Sequence, residues 1–222
     1  MKHRLILSAF GAVLLLFSCS QDSYDKGEGT YSLMRADFVE VHTNADKLID
    51  QAVTDDNVLL TLQPPLATSW VKTPDSVYRA VLYYNKVEGQ NVEAVQCSRV
   101  SVAPITPKDS LKNGMKTDPL RLESMWIAKT LRYLNVGFYL KSGQTDDKNA
   151  LHHLGIVTDT LIAHADGKRT LYLQLYHDQG GVPDYYFQRS YISIPLYNLK
   201  ADSISLSVHT YDGVTNRLFS IK

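Results

Sequence analysis

The sequence predicts an all-β protein in which a five-stranded OB-like barrel precedes a seven-stranded immunoglobulin-like β-sandwich. Three observations predict this fold. Short runs of alternating apolar and polar residues recur along the chain, turn-forming residues separate them, and a proline-rich break divides them into groups of five and seven. The 222 residues include 14 tyrosines, a residue type that is enriched in strands. No stretch has the sustained 3.6-residue apolar period of an amphipathic helix.

The first group of runs predicts the barrel. Its first strand changes its apolar face within its length, because Phe38 shares a parity with Ala36 whereas Val39 and Val41 have the other. Such a one-residue slip predicts a β-bulge, which bends a strand and helps a small sheet to close. The predicted strands of this group are 31–43, 46–54, 57–63, 77–88 and 91–103.

The second group of runs predicts the sandwich. In YLNVGFYLK, Leu134, Val136 and Phe138 share one face, and Tyr139 lies on the other. A period of two is typical of antiparallel sheet with one face on the core and one face in water. Seven short strands with turns between them favour an immunoglobulin-like arrangement. The predicted strands are 121–128, 132–141, 151–162, 169–178, 186–196, 203–210 and 215–221.

The segment PITPKDSLKNGMKTDP, residues 104–119, separates the two groups. It holds three prolines and one glycine and has few apolar residues. Segments of this composition are typical of domain boundaries. We therefore predict a barrel domain over 30–104, a linker over 105–119 and a sandwich domain over 120–222.

The first residues of the chain have the pattern of a secretory signal peptide. Lys2 and Arg4 precede an apolar segment, 5–17, and a basic start before a short apolar core is typical of such a leader. About 20 apolar residues are needed to cross a bilayer as a helix, so this segment is too short to be a membrane anchor. We predict that residues 1–18 are removed.

A cysteine directly follows this leader. The sequence Leu16-Phe17-Ser18-Cys19 resembles a bacterial lipobox, in the form common in Bacteroidetes lipoproteins. The resemblance implies that Cys19 is lipidated and becomes the first residue of an envelope lipoprotein, most simply in the outer membrane. Two or more acyl chains, such as palmitate, anchor a protein stably. The polar segment 19–29 is then a flexible tether between the lipid and the first strand.

Composition excludes several classes of function. Removing Lys2 and Arg4 from the 23 basic residues leaves 21, against 23 acidic residues, so the mature chain is close to neutral. No basic stripe is present, which argues against a nucleic acid partner. Cys97 is the only cysteine besides Cys19, so no disulfide forms within a lipidated chain. Cys97 lies in a strand-like run, where we expect a buried filler instead of a nucleophile.

Several segments together resemble the NigD-like lipoproteins of Bacteroidetes. They are the lipobox, YSLMRADFVEV, RYLNVGFYL, the histidine of LHHLGIV, LQLYHDQGGVPDYY and YISIPLYNL. The resemblance spans nearly the whole chain and implies an OB-type N-terminal domain and a C-terminal β-sandwich. It also implies an envelope location and, since the founding member was tied to a bacteriocin-type gene cluster, an immunity role. No catalytic residue is implied.

Histidine is the residue type with the most chemical potential here. Six histidines follow the leader, and none is part of a His-Glu-x-x-His motif. His177 shares the parity of Leu173 and Leu175, so we expect it to point inward and to bond neighbouring polar groups. We predict no metal site and no cofactor.

The segment YHDQGGVPDYYF, residues 176–187, is the most polar and aromatic loop of the chain. Tyrosine is enriched at recognition surfaces because one end is apolar and the other forms hydrogen bonds. The loop predicts a binding surface for a protein or glycan, or else a long hairpin turn whose tyrosines clamp the sandwich rim. The candidate surface residues are His177, Asp178, Asp184, Tyr185 and Tyr186.

Two functions remain open at this point. One is a non-catalytic envelope protein that binds a protein or glycan, which predicts a shallow aromatic face or a groove on the barrel. The other is an envelope hydrolase that uses His177, which predicts a deep pocket joining His177 to Asp178 or Asp184.

Overall fold

The computed structural model describes residues 34–87 and 89–222. The predicted leader 1–18, Cys19 and the tether up to residue 29 lie outside the described residues. The described part contains fourteen β-strands and one turn of 3₁₀ helix, Lys108–Ser110, and none of its helices is long and apolar enough to cross a membrane. The strands are β1 Arg35–Thr43, β2 Ile49–Thr54, β3 Leu59–Leu66, β4 Val77–Lys86, β5 Asn91–Arg99, β6 Ser101–Val102, β7 Ile105–Pro107, β8 Arg121–Ile127, β9 Tyr133–Ser142, β10 His153–Ala163, β11 Arg169–Asp178, β12 Tyr186–Pro195, β13 Ser203–Thr210 and β14 Gly213–Ser220.

The first five strands form the predicted closed barrel, in the order β1-β2-β3-β5-β4. Strand β1 closes it, because it pairs antiparallel with β2 on one edge and with β4 on the other. The barrel interior is filled by alternate apolar residues such as Val39, Val41, Leu60 and Leu82, all of them at most 1% exposed. The OB-like barrel predicted from the sequence is therefore confirmed.

The predicted bulge in β1 is wrong in its position. The pairing of β1 with β4 runs without interruption from Arg35 to His42. The irregularity in β1 lies between His42 and Thr43, against β2.

The apolar parity of β1 changes because the strand contacts two apolar environments. Val39 and Val41 face the barrel interior, whereas Phe38 points out of the barrel. The Phe38 ring makes edge-to-face contacts with Trp126 and Tyr191 of the sandwich, with ring centroids 5.1 and 5.2 Å apart. The slip in the sequence thus marks a contact between barrel and sandwich.

The predicted β-sandwich is also present. One sheet has the order β14-β13-β11-β10-β7 and the other the order β6-β12-β9-β8. The predicted inward face of β9 is confirmed, since Leu134, Val136 and Phe138 are fully buried in the core between the sheets. Strands β11 and β13 pair in parallel, which the sequence did not predict.

Two short strands connect the barrel to the sandwich. The predicted strand 91–103 ends at Arg99, and Ser101–Val102 instead pairs in parallel with β12. The range 105–119, predicted to be a linker, begins with β7, which pairs in parallel with β10. The start of this range is therefore part of a sandwich sheet. The proposed domain limits themselves stay a prediction.

The outer face of the β6-β12-β9-β8 sheet is divided into two halves. The covered half lies against the barrel, where Asn135 and Ser193 are fully buried. The open half holds the outward residues nearer the other end of the strands, such as Tyr139, Lys141 and Phe187. The sequence predicted that this whole face would be in water, and that is wrong for the covered half because the barrel packs on it.

Candidate functional site

The open half of the sheet brings aromatic and basic side chains together. Tyr139 of β9 pairs with Arg189 of β12, and Lys141 pairs with Phe187. Arg121 of β8 lies opposite Tyr139 on the other side of β9. These residues project outward because the alternate residues of β9 point into the sandwich core.

Cations lie over the aromatic rings of this half. The Arg121 guanidinium is 4.7 Å from the ring centroid of Tyr139 and 5.4 Å from that of Phe187. The Lys141 Nζ is 5.2 Å from the ring centroid of Tyr211, and the Phe187 and Tyr211 rings meet edge to face at 6.0 Å. Arg121, Tyr139, Lys141, Phe187 and Tyr211 therefore form one connected set, which we call the aromatic–cation surface.

This surface is open to solvent and shallow. Phe187 is 44% exposed and Tyr211 is 41% exposed. Arg121, Lys141, Phe187 and Tyr211 line a depression of about 610 Å³ that continues to the turn before β14. Partial burial raises the pKa of the Tyr211 hydroxyl, while Lys141 acts in the opposite direction. The Tyr211 hydroxyl is thus neutral and able to donate a hydrogen bond at physiological pH.

Acidic residues border the aromatic–cation surface. Glu123 binds Arg189 through two contacts of 2.8 Å. Asp184 accepts a hydrogen bond from the Lys141 Nζ at 3.2 Å. The rim of the surface therefore carries both signs of charge.

One of the predicted site residues, Asp184, lies beside this surface. Asp184 contacts Lys141, and the neighbouring Tyr185 and Tyr186 are 77% and 53% exposed. A Cβ atom added at Gly143 would lie 2.7 Å from the Tyr185 ring, so this ring packs on the backbone there. Both tyrosines are exposed, but Tyr186 has the parity of the core-facing Ile192 and Ile194, opposite to that of Phe187, so it is not on the same face of the sheet.

Asp178 shapes the loop that carries these tyrosines. Its Oδ1 accepts a hydrogen bond from the Gly180 N–H at 3.0 Å. Gly180 has a φ of +56°, and a Cβ atom there would lie 2.1 Å from the Leu151 carbonyl oxygen, so only glycine fits. The Gln179 N–H donates to Asp118 Oδ2 at 2.7 Å. The N–H groups of the first two turn residues, Gln179 and Gly180, thus each donate to a carboxylate, and these two hydrogen bonds fix the turn.

His177 is buried, as its parity with the leucines predicts, and only 1% of it is exposed. Its Nδ1 lies 2.8 Å from the Asp118 carbonyl oxygen, and its Nε2 lies 3.0 Å from Nδ1 of His152. The Nε2 of His152 lies 3.0 Å from the Lys141 carbonyl oxygen. Burial lowers the pKa of His177, and the nearby His152 adds to this effect. His177 therefore lies beneath the surface and is not part of it.

A separate cleft of about 880 Å³ opens at the edge of the sandwich, between β10 and β12. Asp178, His152, His153 and Tyr176 line it, but neither His177 nor Asp184 does. The pocket that the hydrolase alternative predicts, joining His177 to Asp178 or Asp184, is therefore not this cleft.

The described residues give no support to the two other kinds of chemistry considered from the sequence, a metal site and a nucleophilic cysteine. No group of three or more His, Cys, Asp and Glu side chains there is placed to hold a metal ion. Cys97 is buried in the barrel, and burial raises the pKa of its thiol to about 12. Such a thiol is protonated at neutral pH and is a poor nucleophile.

Sequence reasoning missed most of the aromatic–cation surface. Arg121, Lys141 and Tyr211 lie far apart in the chain, and only the pairing of β8, β9 and β12 brings them together. Tyr139 was identifiable, because its parity places it on the outward face of β9. His152 was not identified as the partner of His177: the sequence placed it in the predicted strand 151–162, whereas β10 begins at His153, and no local pattern joins two histidines 25 residues apart.

Comparison with known proteins identifies the sandwich. The family model described as the NigD-like C-terminal beta sandwich domain matches residues 101–220. No curated protein sequence matches the chain significantly.

Solved structures from Bacteroidetes are similar over most of the chain. A NigD-like immunity protein from Bacteroides caccae is 25% identical, with a TM-score of 0.65 over 83% of this chain and 91% of that chain. A proposed toxin-related protein from Parabacteroides distasonis is 17% identical, with a TM-score of 0.63 over 84% and 92%. A proposed lipoprotein from Bacteroides fragilis is 12% identical, with a TM-score of 0.59 over 85% and 98%. The last two likenesses show the fold alone.

Proposed function

The chain belongs to the NigD-like family, and from this premise we propose that it is a non-catalytic, lipid-anchored envelope protein that binds a protein partner in an immunity-type role. The observation that carries this proposal is the aromatic–cation surface. Tyrosine and arginine are enriched among the residues that dominate binding energy at protein interfaces.

The anchor follows from the lipobox-like sequence that ends at Cys19. Acyl chains on this cysteine hold the mature protein at the membrane, and the polar tether 19–29 separates the lipid from the barrel. The similar proposed lipoprotein from Bacteroides fragilis is compatible with this location.

A protein partner fits this surface better than a glycan does. Sugars stack on open aromatic faces, but Arg121 already lies over Tyr139 and Phe187, and Lys141 lies over Tyr211. A shallow face with aromatic residues, cations and a rim of mixed charge resembles the interfaces that proteins form with each other. The similar NigD-like immunity protein points to the same class of partner.

The hydrolase alternative has less support. His177 is buried with both ring nitrogens in contact with other groups, and Asp178 is engaged by the Gly180 N–H. A general base needs to reach the proton that it removes from the substrate.

A protection assay tests the immunity role. Sensitive cells that express the full chain are challenged with bacteriocin-type toxins of Bacteroidetes, beginning with any that is encoded beside this gene, and survival is counted. We expect the wild type to protect, the double variant Phe187→Ala, Tyr211→Ala to lose protection, and Tyr197→Ala to keep it. Tyr197 is a matched control because it is 60% exposed and lies beyond the other end of β12. A wild type without protection contradicts the role, and a protective double variant contradicts the surface.

Metabolic labelling with an alkynyl fatty acid tests the anchor separately. We expect the wild type to be labelled and to partition into membranes, and Cys19→Ser to do neither. Equal labelling of both proteins would contradict lipidation at this residue.

A further inference from the structure

Two backbone carbonyls determine where His152 and His177 carry protons. A carbonyl oxygen only accepts hydrogen bonds, so the ring nitrogen that faces it must be protonated. The Nδ1 of His177 faces the Asp118 carbonyl at 2.8 Å. The Nε2 of His152 faces the Lys141 carbonyl at 3.0 Å. Each ring thus has one proton on the nitrogen away from the other ring.

The two nitrogens between the rings then need one more proton. His152 Nδ1 and His177 Nε2 are 3.0 Å apart, which is a hydrogen-bonding distance. If both rings were neutral, two lone pairs would face each other. If both were charged, two N–H groups would collide. One added proton gives an N–H···N bond between an imidazolium and an imidazole.

We propose that His152 and His177 hold this single proton as a cationic pair, which forms a pH-sensitive clasp inside the sandwich. The clasp joins the end of β9 through Lys141, the residue before β10, the end of β11 and the segment before β8 through Asp118. It binds a hydrogen ion and no metal. No part of the proposed binding function is needed for it.

The groups around the pair favour one positive charge and disfavour two. The carboxylates of Asp118 and Asp178 act on His177 in the direction that favours its charged form. Their side chains are also engaged by the N–H groups of Gln179 and Gly180. Burial lowers the pKa of His177 and so disfavours a full charge on that ring.

Other charged groups approach the clasp from the neighbouring segments. Lys116 precedes Asp118, and its carbonyl oxygen accepts the His177 backbone N–H. His153 follows His152 in the chain and is exposed. The Lys141 side chain points away from the pair, toward Asp184 and Tyr211.

The clasp reaches both surface features of the sandwich. His152 lines the cleft of about 880 Å³. The backbone of Lys141 accepts from His152, while its side chain belongs to the aromatic–cation surface. Loss of the proton should therefore loosen the end of β9 and one wall of the cleft together.

The sign of the pH effect follows from proton counts. The N–H···N bond between the rings exists only while the pair holds its proton, so under this proposal the folded state binds that proton more tightly than unfolded histidines do, which lose theirs near pH 6.5. The stabilisation by the pair is therefore complete below about pH 6.5 and is lost as the pH rises. Acid also destabilises the protein as His177 becomes charged, because burial lowers the pKa of His177 and the nearby His152 adds to this effect.

Thermal unfolding of the full chain between pH 5 and pH 9 tests the clasp, with His152→Gln as the variant and His153→Gln as its matched neighbour. We expect His152→Gln to unfold about 2–4 °C below the wild type at pH 6, with the difference closing by pH 9. His153→Gln should follow the wild type throughout. A difference that does not change with pH, or that grows as pH rises, would overturn the proposal.

Nitrogen-15 NMR of the histidine side chains in the wild type tests the same point without a substitution. At pH 7 we expect one ring of the pair to show two protonated nitrogens and the other ring one. Two neutral rings at pH 7, or two rings that titrate independently of each other, would contradict the shared proton.

Discussion

The covered and open halves of the outer sheet face each place an arginine over a tyrosine ring, in the covered half within the fold and in the open half at the solvent-exposed surface. In the covered half, the Arg79 guanidinium of the barrel lies 4.3 Å from the ring centroid of Tyr133. In the open half, the Arg121 guanidinium lies 4.7 Å from the ring centroid of Tyr139. Tyr133 and Tyr139 share the outward parity of β9, but the arginine of the covered half comes from the barrel, whereas that of the open half comes from β8 of the sheet itself.

The two halves also differ in how completely their arginines are hydrogen-bonded, as a comparison of Arg79 with Arg189 shows. Arg79 has a side chain only 1% exposed, and it donates to Asp55 at 2.7 Å and to Asn135 and Ser193 at 3.1 Å. The Arg189 side chain in the open half is 53% exposed; it is hydrogen-bonded to Glu123, and its guanidinium lies 5.1 Å from the ring centroid of Tyr191. Burying a charge is costly unless the charge is fully paired, so the polar groups of the covered half are bonded to one another within the fold. The exposed groups of the open half remain available to another molecule.

The largest predicted effect comes from the covered half. Arg79→Ala leaves Asp55 and Asn135 without their buried partner, and such a loss costs about 3–5 kcal/mol. Arg189→Ala removes a solvent-exposed ion pair, for which about 0–1 kcal/mol is expected. Denaturant unfolding of both variants measures the contrast. Equal losses would show that the two halves are not energetically different.

The next effect concerns the clasp beneath the open half. His177→Ala leaves the Asp118 carbonyl and a ring nitrogen of His152 unpaired in a buried site, which costs about 1–3 kcal/mol. The melting temperature should fall equally with and without a chelator, because no metal is involved. A rise in the wild-type melting temperature with micromolar zinc that is absent in the variant would contradict this.

A smaller effect depends on alkaline pH. Burial, together with the 2.8 Å hydrogen bond to Glu40, raises the pKa of Tyr133 to about 12. The folded protein therefore keeps this proton where the unfolded chain loses it, near pH 10, and stability falls as the pH rises from about 10 to 12. Tyr133→Phe should cost about 1 kcal/mol at pH 7 and should reduce the alkaline loss.

Part of that alkaline loss should remain in Tyr133→Phe. Tyr84 in the barrel donates to Asp37 at 2.6 Å, and its pKa is also raised to about 12, chiefly by burial. The double variant Tyr133→Phe, Tyr84→Phe should therefore lose less stability above pH 10 than either single variant. If all four proteins lost stability alike, the phenol groups would not cause the alkaline effect.

The smallest effect on stability is predicted for the aromatic–cation surface itself. Truncation of exposed side chains such as Phe187 and Tyr211 usually changes stability by about 0.5 kcal/mol or less. The double alanine variant should thus melt close to the wild type while it loses its partner. A large loss of stability would assign these rings to the fold instead of to binding.

The sequence predicted the strands and their inward faces because both depend on local alternation. The parity of Leu134, Val136 and Phe138 identified the sandwich core, and the parity of Val39 and Val41 identified the barrel interior. Turn residues placed the strand boundaries within a few residues. These features need no knowledge of which strands become neighbours.

The contacts between distant segments were not predictable in this way. Phe38 was read as a bulge because nothing local indicates that the barrel packs on Trp126. His177 was correctly placed inside, but its partner His152 lies 25 residues away, just before β10, and no local pattern indicates that contact. Of the loop residues, Asp178 shapes the turn, Tyr185 and Tyr186 are exposed, and Asp184 borders a surface whose members come from β8, β9, β12 and the turn before β14.

Site-specific photo-crosslinking tests the central claim most directly. The full-length lipoprotein, with p-benzoylphenylalanine in place of Tyr211, is irradiated on cells of the bacterium that encodes it, and adducts are resolved by mass. We predict a discrete protease-sensitive adduct that Arg121→Glu abolishes and Tyr197→Ala preserves. A protease-resistant adduct would show a glycan partner, and an adduct unaffected by Arg121→Glu, or none at all, would contradict a protein-binding role for this surface.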